Sequence, residues 1–152
     1  MAKNKVAQVL RKDRWTGVQS ENDVGPFILR YRTPVLAPPD TKAYSRVLKI
    51  VWPYAEENSG AMPSTADSEQ MAEFEHRFCE AVERDATAIL TAVLTFDGAR
   101  QWIFYTGNIQ ECGERLSNMP QNDEPYPIEL ATEQDPQWKC LWEEILRVAP
   151  KV

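Results

Sequence analysis

The stretch "LTFDGARQWIFYTG", Leu94 to Gly107, decides how the rest of the chain is read. Two apolar, β-rich runs, 88–96 and 100–106, meet at Asp97-Gly98. A two-residue Asp-Gly loop between strands fits a type I′ turn, which needs positive φ at both central residues and suits the twist of a tight hairpin. That turn sets the register: Phe96 faces Ala99, Thr95 faces Arg100 and Val93 faces Trp102. One face of the hairpin then carries Leu90, Ala92, Leu94, Phe96, Ile103 and Tyr105, the expected floor beneath the helices. The other carries Thr91, Val93, Thr95, Arg100, Trp102 and Phe104. Those last two aromatics are either covered by added elements or form a surface that binds something.

Working outward, the residues before the hairpin read as a helix over about 67–84. Met71, Phe74, Phe78 and Val82 recur at three- and four-residue intervals. Asp67 is placed to cap it, with Gln70 as the reciprocal partner. Its other side carries Glu69, Glu73, Glu80 and Glu83. After the hairpin, Asn108 and Glu111 mark a second helix, with Ile109, Cys112, Leu116 and Met119 as its stripe and Pro120 beyond its end. Residues 128–131 read as a short edge strand. Asp135-Pro136 then opens a third helix with Trp138, Leu141, Trp142 and Ile145 along one side. Upstream, 14–19 and 27–32 read as two strands and 44–54 as a third, apolar on both faces as central strands are. From that third strand the order is β-α-β-β-α-β, the split arrangement called ferredoxin-like. The expected fold is therefore α+β: a ferredoxin-like β-α-β-β-α-β core with two added N-terminal strands and a C-terminal helix. Residues 1–13 read as a basic N-terminal segment and 14–149 as a single domain. The added strands and the last helix are the candidates to cover the sheet face that the two core helices leave free.

Composition excludes several classes of function. A chain of 152 residues with 43% hydrophobic residues has the material for one domain core. No apolar run approaches the 18 residues of a membrane span, and the basic N-terminus lacks a signal-peptide apolar stretch. Cys79, Cys112 and Cys140 have no CxxC spacing and are expected as reduced thiols, which points to a cytoplasmic location. The net charge of −6 is unevenly spread. Residues 1–60 hold ten Lys/Arg against six Asp/Glu, and 61–152 hold seven against seventeen. A net acidic protein repels phosphate backbones, so nucleic-acid binding is not expected.

The hairpin also resembles the signature of the domain-of-unknown-function family numbered 695, in which a strand, a Gly-containing turn and an aromatic strand ending in tyrosine recur. "GPFILRYR", "AILTAVL" and "YPIELATEQDPQW" are similar too, so the likeness covers about residues 14–146. These motifs are structural in type, and the resemblance implies no catalytic residue. It implies, through ferredoxin-like relatives that include the protein regulator of ribonuclease E activity B, a fold-level analogy to a protein-binding inhibitor.

Two residue sets carry the functional expectations. Glu69, Glu73, Glu80 and Glu83 form an acidic helix face able to dock on a basic protein partner, as small acidic inhibitors and immunity proteins do. Their alternative role is a plain solvated face. Arg30, Arg32, Arg46, Lys49 and Arg100 lie on predicted strands, and the arginines among them, with Trp102, could hold a small anionic substrate or ligand through paired N–H donors. Their alternative role is to shield sheet edges and to meet the acidic helices in surface ion pairs. His76 has no second histidine to share a metal, so neither a metal site nor a cofactor is expected. The expected function is a non-catalytic, protein-binding or regulatory module. The competing reading is an enzyme or binder for a small anion at the arginine set.

Overall fold

In the computed structural model, which describes residues 2–21, 25–54 and 62–148, the turn at Asp97-Gly98 is type I′, with φ of 51° and 80°. It joins β4 (Ala88–Phe96) to β5 (Ala99–Thr106), and Phe96–Ala99, Thr95–Arg100 and Val93–Trp102 pair as the turn requires. Farther from the turn the ladder changes. A bulge places Thr91 between the Leu90–Phe104 and Ala92–Ile103 pairs, and the Thr91 hydroxyl donates to the Ile103 carbonyl at 2.7 Å. One extra residue moves every side chain beyond it to the other face. Leu90 therefore lies with Phe104, not with Ala92 as expected.

Four further strands complete one antiparallel sheet: β1 (Arg14–Glu21), β2 (Pro26–Thr33), β3 (Arg46–Pro53) and β6 (Glu129–Gln134). Their order is β1-β2-β4-β5-β3-β6. The N-terminal pair was expected among the covers of the free face. Instead it widens the sheet, because β2 hydrogen-bonds to β4. Both edges, β1 and β6, are largely exposed, and β6 carries Glu129 and Glu133 on its rim, charges that discourage edge-to-edge pairing.

Each face of the sheet is covered. On one, α2 (Thr65–Glu83) and α3 (Ile109–Asn118) bury Met71, Phe74, Phe78, Val82 and Cys112 against Leu48, Ile50, Trp52, Leu90, Val93, Trp102 and Phe104. Trp102 and Phe104 are both fully buried there. The opening stretch is thus core, and the floor beneath α2 and α3 is the Trp102 face, the reverse of the face expected from the hairpin. Aromatic edges tile this layer: Phe74 meets Trp102 at 5.1 Å and Phe78 meets Phe104 at 4.9 Å between ring centres, both edge-on. Ser64, not Asp67, caps α2 by accepting from the Asp67 N–H at 3.1 Å, whereas Asn108 caps α3 as its sequence predicts.

On the second face, Phe27, Leu29, Val47, Ala92, Leu94, Ile103 and Tyr105 are covered by three pieces. The basic segment is one of them: α1 (Ala2–Lys12) lays Val6 and Val9 on the sheet and turns Lys5, Arg11 and Lys12 to solvent. The segment between β2 and β3 adds Leu36 and Tyr44. The C-terminal helix is a π-helical turn, Cys140–Ile145, followed by a 3₁₀ turn, Leu146–Val148. Just before it Trp138, itself at φ 57°, stacks on Tyr105 at 4.1 Å and donates its indole N–H to the Tyr44 carbonyl at 2.7 Å. Asp135 fixes the start of this helix, but not with Pro136 in its first turn. The buried carboxylate accepts from Lys139 and Cys140 N–H at 2.8 and 2.9 Å and from the Tyr105 hydroxyl at 2.6 Å. Trp142, expected in the buried stripe, is 43% exposed. In a π turn the hydrogen bonds span five residues, so Leu141 and Ile145 align and Trp142 swings to the side.

Candidate functional site

Arg30 and Arg32 alternate with Leu29 and Tyr31 on β2, and this places both guanidiniums beside α2. Arg32 is 5% exposed and fully engaged. Its Nε donates to the Leu90 carbonyl at 2.9 Å, and its two terminal nitrogens donate to Asp13 at 2.9 Å and Glu83 at 3.0 Å. The Trp15 ring, whose own N–H donates to Asp13, lies 4.5 Å from the Arg32 guanidinium. Arg32 therefore ties the end of α1, β1, β2, β4 and α2 together and is not available to a ligand.

Glu83 is the acceptor that makes this possible. Its carboxylate also accepts the Leu90 N–H at 2.8 Å, and its side chain is 17% exposed. Burial pushes its carboxyl above the usual range, with Arg32 and the Leu90 N–H pulling the other way. Glu83 was expected on a solvated acidic face, but it belongs to the interior with an arginine from the rival set. Glu73 is also engaged: Asn122 and Tyr126 donate to it at 2.7 and 2.9 Å, Arg77 pairs with it at 3.2 Å, and these donors hold its carboxyl below the usual range. Glu69 and Glu80 remain exposed on α2 with no cation partner among the described residues.

The remaining arginines separate. Arg30 pairs with Glu75, whose Oε1 also accepts the Trp102 indole N–H at 2.8 Å. Trp15 lies 5.1 Å from the Arg30 guanidinium. Arg100, opposite Thr95 across the hairpin, donates from Nε to the Thr95 hydroxyl at 2.8 Å. Burial lowers its pKa, and the neighbouring Arg30 charge lowers it further. Arg46 is elsewhere. It opposes Thr106, and Arg100 opposes Trp52, so six residues of β3, about 20 Å, separate them. Arg46 Nε is buried without an acceptor among the described residues. Lys49 is on the opposite face, 3.7 Å from Glu144 and 4.0 Å from Glu133. Trp102 lies under α2 and presents no surface to a ligand. Of the five residues expected to share an anion site, the structure brings Arg30 and Arg100 together, spends Arg32 on the fold, buries Trp102 and places Arg46 at the far end of the sheet.

Sequence reasoning missed the segment 121–127. Tyr126 packs its ring on Phe74 and Trp52, at 5.1 and 5.7 Å, and its hydroxyl takes part in the Glu73–Arg77–Asn122 network. The segment is thereby fixed against α2, and its tip presents exposed Asp123 and Glu124. An open concavity of about 600 Å³ lies there, lined by Gln70, Asn122, Asp123, Glu124 and Tyr126 among others. The "QNDEPYP" run gave one signal, two adjacent acids in a loop. The aromatic anchor that orients them is visible only in three dimensions.

All three cysteines are free thiols, and burial raises each pKa, that of Cys140 to about 11. No curated protein and no solved structure matches this chain. A family model does: across residues 13–144 the sequence matches the family of unknown function DUF695, and the chain belongs to that family.

Proposed function

We propose that this protein is a non-catalytic regulatory module that binds a basic segment of another protein on the surface formed by α2 and the 121–127 segment. One observation carries this reading. Cations of the sheet and of α2–α3 are largely paired internally, Arg30 to Glu75, Arg32 to Glu83 and Asp13, Arg77 to Glu73 and Arg115 to Asp85 and Glu111. Glu69, Glu80, Asp123 and Glu124 are exposed with no such partner among the described residues. Asp123 and Glu124 line the concavity, Glu69 adjoins Gln70 of its wall, and Glu80 lies farther along α2, near Arg77 and the exposed Arg84. The local excess of acidic charge raises the rate of encounter with a basic partner.

The ferredoxin-like reading of the core belongs to the same proposal. Its support is the strand order: counted within β3-α2-β4-β5-α3-β6, the strands lie 4-1-3-2 across the sheet, with both helices on one face. A cytoplasmic location is supported by the three free thiols. Among the described residues no helix is long and apolar enough to cross a membrane.

The test is capture of a partner from an extract of the source organism by immobilised wild-type protein and by a variant with Glu69, Glu80, Asp123 and Glu124 changed to Lys. The reading expects a protein retained by the wild type at low salt and lost by the variant. The variant should keep its stability within about 1 kcal/mol, because exposed charges contribute little to folding. Equal capture by both proteins would remove the acidic surface from the account. Glu83 is left out of the variant because a lysine there would face Arg32 in the interior.

A further inference from the structure

Arg100 differs from the other two arginines gathered beside α2. Arg32 uses every part of its guanidinium, and Arg30 has Glu75. Arg100 uses Nε alone, on Thr95, and its two terminal nitrogens have no acceptor among the described residues. It is half-buried, held from below by a threonine that is 2% exposed, and it has Arg30 for a neighbour. One carboxylate, Glu75, acts on both guanidiniums: its Oε1 is shared by Arg30 and the Trp102 indole, and it offsets the charge of Arg100, beside Tyr54, without an ion pair to it. Two positive charges against one negative leave the cluster a net cation in a partly desolvated place. A guanidinium that is desolvated but unpaired gains more from an anion than an exposed one does, and its planar fork suits two-point contact with an oxyanion.

We propose that Arg100, with Arg30 beside it, forms a binding site for a small oxyanion, a carboxylate or phosphoryl group. The terminal nitrogens of Arg100 donate to two of its oxygens, Arg30 supplies a second positive charge, and Thr95 keeps the Arg100 side chain in place. This site is separate from the acidic surface and does not depend on it.

The experiment is a titration of the full chain with sodium phosphate and, separately, with sodium succinate, each matched in ionic strength with sodium chloride. It is followed by ¹⁵N NMR at the Arg100 Nε–H and the Thr95 amide. The site predicts saturable shifts at both positions. Saturation by phosphate alone assigns a phosphoryl ligand, by succinate alone a carboxylate, and by both an oxyanion in general. Arg100→Gln should weaken binding about tenfold or more, the loss expected for a charge-assisted contact. Glu75→Gln, which retains an acceptor for Trp102 but removes the competing charge, should tighten binding about three- to tenfold. Arg84→Gln, an exposed arginine elsewhere, should bind as the wild type does. If Arg100→Gln loses its dispersed spectrum, the Glu75→Gln arm decides alone. Absence of saturable shifts in the wild type, unchanged binding in a folded Arg100→Gln variant, or no tightening in Glu75→Gln overturns the proposal.

Discussion

Replacing Trp138 and Trp142 by alanine, one at a time, tests how the C-terminal helix is held. The two side chains stand four residues apart, and an α-helical stripe would give them equal roles. The structure does not: Trp138 is 1% exposed and Trp142 is 43% exposed. A tryptophan hides up to about 250 Å² when fully buried, and alanine at the same site retains part of that. For Trp138 the net loss is about 180 Å², or about 4–5 kcal/mol at about 25 cal/mol per Å². This falls within the range measured for large aromatic truncations. The substitution also leaves the Tyr44 carbonyl without its 2.7 Å donor and removes the ring stacked on Tyr105. For Trp142 the area lost is about half as great, giving about 2 kcal/mol, and its bond to the Leu36 carbonyl at 3.0 Å is only partly buried. Urea denaturation of the two variants at equal protein concentration should therefore separate them by about 2 kcal/mol or more, Trp138→Ala being the weaker. Equal losses, or a larger loss at Trp142, would refute the placement of this helix.

Three further outcomes are expected. A Cβ on Gly107 would lie 2.3 Å from the Ala43 carbonyl oxygen, so Gly107→Ala should lower stability by about 1–3 kcal/mol through forced backbone movement, read as a shift of the urea midpoint. Asp85 is held below its ordinary pKa of 3.8 chiefly by hydrogen bonds from Arg115, so its pairing stabilises the fold above that pH and is lost as the pH falls through the lower folded value. Melting temperatures of wild type and Asp85→Asn should accordingly differ above about pH 5 and converge in stronger acid, the wild type being the higher. Burial raises the pKa of every cysteine thiol, so a thiol reagent at pH 8 should label the native protein slowly and all three sites promptly in urea. Fast labelling of the native chain would contradict the packing around Cys112 and Cys140.

What could be read from the sequence divides along the distance over which the physics acts. The Asp97-Gly98 turn, its register, the Asn108 cap and the α2 stripe were legible because each is set within a few residues. The two faces of the hairpin were exchanged for two reasons. The Thr91 bulge has no local signature, and nothing in the hairpin indicates which face the helices take. Residues 1–13 gave only a basic composition, since Val6, Val9 and Leu10 are too few apolar positions to declare a helix without the sheet they cover. Trp142 was misplaced because the period assumed was α-helical and the turn is π. At the site, Arg32 and Glu83 are 51 positions apart, and their pairing could not be foreseen from either segment. The same holds for Glu75, which joins Arg30 to Trp102, and for Tyr126, which anchors the acidic loop. Long-range ion pairs and aromatic anchors decide which charged residues remain free, and that is the information a functional reading needs most.

The central claim, that a basic protein partner is met through the free acids of α2 and the 121–127 segment, is tested most directly by the association rate of the captured partner. It should be measured against wild type and the Glu69, Glu80, Asp123, Glu124→Lys variant across a range of ionic strength. The account predicts fast association to the wild type that slows steeply with added salt, and slow association to the variant with little or reversed salt dependence. Rates that coincide for the two proteins at every salt concentration would contradict it.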